Sequence, residues 1–215
     1  QPYVTETEKK AYLSFLRSLL KDRPYVQLAY MTGILPIAKY SSGSELNMFM
    51  EYKMATEEKY STYFGFTEKE VDILFERYQK KCMDNPQITR AGLKTWYNGY
   101  HTKSNQRIYN PRSVIVSLTN NNLGNYWTSS GPYDEIFYYI KNNIAAVRED
   151  LVRMISGVSI PIKIREYAAS SMSLQTKDEI FSAMVVYGFL TSEKETVCIP
   201  NKELMEQFSE ISNRI

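Results

Sequence analysis

Residues Val26 to Ile34 read VQLAYMTGI, an apolar run without regular polar alternation. A strand exposed on one face alternates apolar and polar residues, because successive side chains point to opposite faces. A continuous run marks a strand covered on both faces, as in a largely parallel sheet. The residues before it fit that reading. From Glu6 to Lys21 the apolar residues Ala11, Tyr12, Phe15, Leu16, Leu19 and Leu20 recur at three- and four-residue spacing, which predicts a helix with one buried face that Pro24 ends. A helix feeding a buried strand is half of an αβ unit. A lone buried strand leaves its backbone groups unpaired, so either further strands lie upstream or this segment has another role.

With 215 residues and 43% hydrophobic content, the chain buries one substantial core or two small ones and is too apolar to be disordered. No apolar stretch approaches the roughly 18 residues of a membrane span, and no basic-then-apolar leader precedes the first helix. The expectation is a soluble piece of a longer protein with no membrane partner. Cys82 and Cys198 lie far apart without CxxC spacing, and His101 is the single histidine. That argues against a metal site and against a disulfide framework, and a reducing, intracellular setting fits it. A net charge of +2 is too slight to announce nucleic acid. The 18 tyrosines read first as packing residues with a polar tip and second as stacking platforms.

Further along, SSGSELN between Lys39 and Met50 reads as a loop, and Tyr60 to Phe66 as a short connector closed by Gly65. Thr67 with Glu70 is a capping box opening a helix to about Lys81 that buries Val71, Leu74, Phe75 and Tyr78. A helix from Thr89 carries Leu93, Trp96 and Tyr97 and stops at Asn98 and Gly99. Tyr100 to Tyr109 reads as a hairpin turning near Ser104 and Asn105, and Asn110 caps a helix with Pro111 first. Beyond the polar patch Asn120 to Asn125, Tyr133 to Met154 reads as helix and Val158 to Ile164 as strand. Asp178 to Tyr187 is an amphipathic helix, Gly188 to Pro200 a hairpin and Lys202 to Ile211 a last helix. Helix, hairpin and helix in that order resemble a winged-helix-like module, with a soft boundary near Asn120 to Ser130.

Several short signatures stand in a definite order: TGILPIAK from Thr32, YFGFTEKEV from Tyr63, WYNGY from Trp96, YNPRSV from Tyr109, NYWTSSG from Asn125, GFLT from Gly188 and IPNKE from Ile199. Their series resembles the predicted AAA-ATPase-like proteins of the P-loop superfamily, whose members often carry a PD-(D/E)XK nuclease domain. The resemblance implies an α-rich α/β fold in three parts. These are the C-terminal helix and strand of an ATPase core over residues 1–50, a helical lid with a small hairpin over 51–125, and a winged-helix-like module over 126–215.

The same resemblance makes Thr32 a nucleotide-sensing residue at a strand end, although by residue type it is also a threonine opening a turn before Gly33. SSGSELN is similar to the family's S-G-L-N stretch, with Ser44 and Glu45 intervening. Ser42, Gly43 and Asn47 either line a ligand mouth or form a plain connector. Trp96 and Tyr100 pack between helix and hairpin, or offer a base a shelf with His101, Lys103 and Arg107 nearby. Arg112 stands where the family commonly has tryptophan. It is a contact for phosphate in a neighbouring chain or a surface arginine.

No GxxxxGK[ST] string follows any of the nine glycines, and no acidic pair closes an apolar strand. The chain by itself is therefore expected to have no catalytic residue and no cofactor, with ATP and Mg bound only together with an upstream half. Its partner is then that ATPase half, or a neighbouring domain or subunit. Two alternatives remain: a nucleic-acid-binding wing using Lys177 and Lys194, offset by Asp178, Glu193 and Glu195, or a degenerate protein-interaction domain.

Overall fold

Three helices begin at capping boxes, in which a threonine hydroxyl accepts from the amide three residues on and a glutamate there answers the threonine amide. Thr5 and Glu8 open α1 (Glu6–Leu20), Thr67 and Glu70 open α2 (Glu68–Lys81), and Thr176 and Glu179 open α6 (Lys177–Val186). These are details of a computed structural model that describes residues 5–33, 48–54, 57–82, 85–127, 144–164 and 176–213. It is α-rich α/β, with two small antiparallel sheets among the described residues. The chain divides into two units, Gln1–Glu51 with Glu166–Leu174, and Tyr52–Arg165 with Gln175–Ile215.

In the first unit α1 buries Leu13 and Leu16, with Leu20, Met48 and Phe49 packed against them. Of the expected stripe Leu16 and Leu20 face this core, while Tyr12, Phe15 and Leu19 are exposed. Leu13, Leu16 and Leu20 also stand three and four apart, so the helix carries two apolar stripes and packing selects between them. The buried strand expected from Val26 does not form. Val26 to Gly33 has no strand pairing, and Leu28 and Tyr30 are 86% and 85% exposed. A strand needs a neighbour for its backbone groups, and none of the described residues supplies one. Ile34 and the SSGSELN loop lie outside the described residues.

The second unit starts with a 3-10 turn, Ser61–Phe64, and α2. A hydrophobic core of Val71, Tyr78, Ile88, Leu93, Tyr97, Tyr109 and Val114 joins α2 to α3 (Arg90–Tyr97), β2 (Arg107–Tyr109) and α4 (Pro111–Asn120). β1 (Asn98–His101) follows α3 directly and pairs antiparallel with β2, and Asn105 takes a left-handed φ of 60° in the turn between them. Asn110 caps α4 and Pro111 is its first residue, as the local signals require.

Residues 128–143, where the start of the expected 133–154 helix falls, lie outside the described residues; α5 is Ile144–Ile155. β3 is only Ile160–Pro161, and with β4 (Thr191–Glu193) and β5 (Thr196–Cys198) it makes an antiparallel sheet in the order β3-β5-β4. α6 is not amphipathic. Six consecutive residues, Ile180 to Val185, are buried, which marks a helix enclosed on all sides. α7 (Lys202–Asn213) closes the unit, and both α3 and α5 pack on it. Residues before and after the 120–130 stretch thus belong to one unit. Among the described residues no helix is long and apolar enough to cross a membrane.

Candidate functional site

WYNGY runs from α3 into β1 and is pinned by its glycine. Gly99 has φ +125° and sits where the β1–β2 register shifts, and a Cβ there would lie 1.9 Å from the Pro200 carbonyl oxygen. Only a residue without a side chain lets the IPNKE backbone approach this closely. Parts of IPNKE, NYWTSSG and GFLT meet at the same place. The Lys202 ammonium lies 4.4 Å from the Trp96 ring centroid, and the Trp127 and Phe189 rings meet edge-on at 5.0 Å. The Tyr97 hydroxyl donates to the Gly124 carbonyl and accepts from the Gly124 amide, both at 3.0 Å. The His101 amide donates to the Thr191 hydroxyl at 2.8 Å.

At the centre is Glu203, a carboxylate with no exposed surface. Its Oε1 accepts from the Ser113 hydroxyl at 2.8 Å, the Tyr126 amide at 2.7 Å and the Trp127 amide at 2.9 Å, and its Oε2 accepts from Ser113 at 2.9 Å. Asn201 caps α7 by accepting from the Leu204 amide, which places Glu203 in the first turn, where the helix dipole favours negative charge. Burial raises the Glu203 pKa, and the hydrogen bonds from Tyr126, Trp127 and Ser113 oppose that rise. One carboxylate thereby ties α7 to α4 and to the segment after it. Around it, burial first and the Glu203 charge second raise the Tyr100 phenol. Among the described residues, neither the buried Tyr100 hydroxyl nor the buried Asn201 Nδ2 makes a hydrogen bond of ordinary geometry.

Two polar clusters flank this junction. Arg107 Nε donates to His101 Nε2 at 3.1 Å, so that nitrogen is an acceptor and the proton sits on Nδ1, 2.8 Å from Asn105 Oδ1. Asn105 Nδ2 in turn donates to Glu193, joining the β1–β2 turn to β4. Burial pushes the Cys198 thiol up, away from the thiolate a nucleophile requires. At the start of α2, Glu68 accepts from the Tyr109 hydroxyl at 2.6 Å, from Asn98 Nδ2 at 3.1 Å and from Arg90, and pairs with Lys94 at 3.0 Å. Burial raises its pKa, but the Tyr109, Lys94 and Arg90 contacts outweigh that and bring it to about 2.

The residues singled out in the sequence are scattered. Thr32 is exposed in the irregular Val26–Gly33 segment and ends no strand. Ser42, Gly43 and Asn47 lie outside the described residues. Trp96 and Tyr100 belong to the junction as packing groups, Trp96 half-buried and Tyr100 buried. Arg112 is exposed, with Nε 3.4 Å from the Tyr126 carbonyl oxygen. Lys177 pairs with Asp150 at 2.5 Å, and Lys194 stands exposed in the β4–β5 turn with φ 55°. Sequence reasoning missed Glu203, Ser113 and Thr191. Their presence inside IPNKE, YNPRSV and GFLT was the available signal.

No family model and no solved structure matches the chain. It is 28% identical over 117 residues to an uncharacterized protein in the vnfD 5′ region of Azotobacter chroococcum mcd 1. The match covers 54% of this chain and 21% of that protein.

Proposed function

We propose that this chain is the sensor and lid portion of an AAA-ATPase-like protein. In this reading it covers a nucleotide held by an upstream P-loop half and passes the nucleotide state to a neighbouring domain, and it does not hydrolyse ATP alone. The observation that carries the reading is the convergence of WYNGY, YNPRSV, NYW, GFLT and IPNKE on the buried Glu203 carboxylate. A junction in which several separated segments share one charged anchor moves as a unit, which is what transmission between a nucleotide and a distant module needs. The three donors held on Glu203, from Ser113, Tyr126 and Trp127, suit an anchor better than a proton-transfer group. Within this proposal ATP and Mg belong to the upstream half.

The test is hydrogen exchange on the full-length protein with and without Mg-ATP, read at the Tyr126 and Trp127 amides. The reading expects nucleotide to change their protection, and identical rates in both states overturn it. Phosphate release from ATP by this chain alone, at an enzyme-like rate, overturns the part about hydrolysis.

A second reading, a nucleic-acid-binding winged helix, is favoured by one observation: α6, the β4–β5 hairpin and α7 follow each other beside the three-stranded β3-β5-β4 sheet. Lys177 is engaged by Asp150, which leaves Lys194 as the better placed of the two candidate phosphate contacts. In a gel shift, Lys194→Glu weakens DNA binding more than Lys177→Glu if this reading holds. Absence of any shift with the unmodified chain rejects it.

A further inference from the structure

We propose that the surface formed by Tyr52, Tyr60 and Tyr63 recognises a cationic side chain, lysine or arginine, of a partner protein, and that Lys59 occupies part of this surface in the unbound chain. The rings stand as walls. Tyr52 and Tyr60 meet edge-on at 4.9 Å and 78°, and Tyr60 and Tyr63 at 6.2 Å and 73°. In each edge-on pair the positive edge of one ring meets the negative face of its neighbour, and a cation is attracted by the quadrupole of the ring faces left uncovered. The chain already shows which chemistry fits, because the Lys59 ammonium lies 5.0 Å from the Tyr60 centroid and 5.6 Å from that of Tyr52.

Charge and exposure point the same way. Tyr63 is 86% exposed and Tyr60 is half-exposed, so two walls are open to an incoming group. Glu57 and Glu58, exposed immediately before Lys59 and Tyr60 in the chain, add acidic charge near the aromatic residues that suits a basic segment. Tyr60 itself has a left-handed backbone, φ 64° and ψ 9°, an uncommon conformation for an aromatic residue, held where the Tyr63 amide donates to the Tyr60 carbonyl at 3.0 Å. This surface is separate from the Glu203 junction, and the proposal stands whether or not the nucleotide reading does.

The test is NMR of the full chain carrying labelled tyrosine rings, titrated with tetramethylammonium chloride against sodium chloride at equal ionic strength, then with an octalysine against an octaglutamate peptide. Tyr60 and Tyr63 ring signals are expected to shift with tetramethylammonium and octalysine only. Lys59→Ala is expected to bind tetramethylammonium roughly three- to tenfold more tightly by vacating the rings, while Lys69→Ala, which removes an equal charge from exposed α2 surface, leaves affinity unchanged. Tyr63→Leu alters a surface position and is expected to weaken binding without disturbing the fold. Equal shifts with sodium, no gain in Lys59→Ala, or an equal gain in Lys69→Ala overturns the proposal. So does a response of these rings to oligothymidylate alone, which identifies a base-stacking platform instead.

Discussion

The Ser113 hydroxyl lies 2.8 and 2.9 Å from the two carboxylate oxygens of Glu203, a pairing across 90 residues that leaves neither side chain exposed. Its energetics follow from what each group loses if the other is removed. Glu203→Ala strands two amides and a hydroxyl in the interior, and a buried donor without an acceptor costs about 1–3 kcal/mol. We expect a loss of about 3 kcal/mol in urea unfolding. Glu203→Gln keeps one carbonyl oxygen for the Tyr126 and Trp127 amides and is expected to cost about half as much. Equal costs would show that shape, not hydrogen bonding, holds the junction.

Gly99 and Gly157 separate steric from conformational cost. Both have positive φ, +125° and +85°, but a Cβ on Gly99 meets the Pro200 carbonyl oxygen at 1.9 Å while one on Gly157 meets nothing within 4 Å. Gly157→Ala is expected to cost about 1 kcal/mol from backbone strain alone. Gly99→Ala must also push the two backbones apart and is expected to cost about 4 kcal/mol or more. Thermal unfolding of the two variants measures the difference.

The Tyr78 hydroxyl donates to Asn121 Oδ1 and accepts from the buried Ile88 amide at 3.1 Å. Asn121 has φ 52° at the end of α4, and its side chain also accepts from the Gln87 amide and donates to the Asn85 carbonyl. Tyr78→Phe leaves the Ile88 amide unpaired, with an expected cost of about 2 kcal/mol. Native-state hydrogen exchange should show that amide among those most accelerated.

Stability should depend on pH through two glutamates acting in opposite senses. Glu68 titrates at about 2 in the folded chain against an ordinary 4.5, so its contribution is present above 4.5 and is lost as pH falls toward 2. Its side chain is 42% exposed, and solvent screening holds the effect to about 1 kcal/mol. Glu203 is raised, so its contribution is full below its ordinary value and is lost as pH rises through the folded one. Glu68→Gln should therefore flatten the acid limb of the unfolding profile. Glu203→Gln should compare best with the unaltered chain at neutral pH. Unfolding midpoints across the range check both signs.

Features written in a few adjacent residues were legible. The Thr67–Glu70 box, the Asn110–Pro111 start of α4, the turn at Asn105 and the β4–β5 hairpin all form where the sequence placed them. Each depends on hydrogen bonds or φ preferences within a turn or two, which neighbouring residues decide. The α1 face was misread because two stripes were available, and α6 because Ile180 to Val186, a nearly continuous apolar run and not a one-faced stripe, was taken for an amphipathic pattern. The run from Val26 was misread because strand formation requires a partner strand.

The sequence by itself determined where most helices and turns begin, because caps, prolines and turn residues act locally. It also set out the ordered aromatic and glycine signatures. Only the tertiary structure decided that WYNGY, YNPRSV, NYW, GFLT and IPNKE meet, and that Glu203, which reads as an ordinary charge near a helix start, is enclosed by Ser113 and the Tyr126 and Trp127 amides. The physical reason is that burying a carboxylate is favourable only when donors from distant segments arrive together, and their arrival is a property of packing across the whole unit.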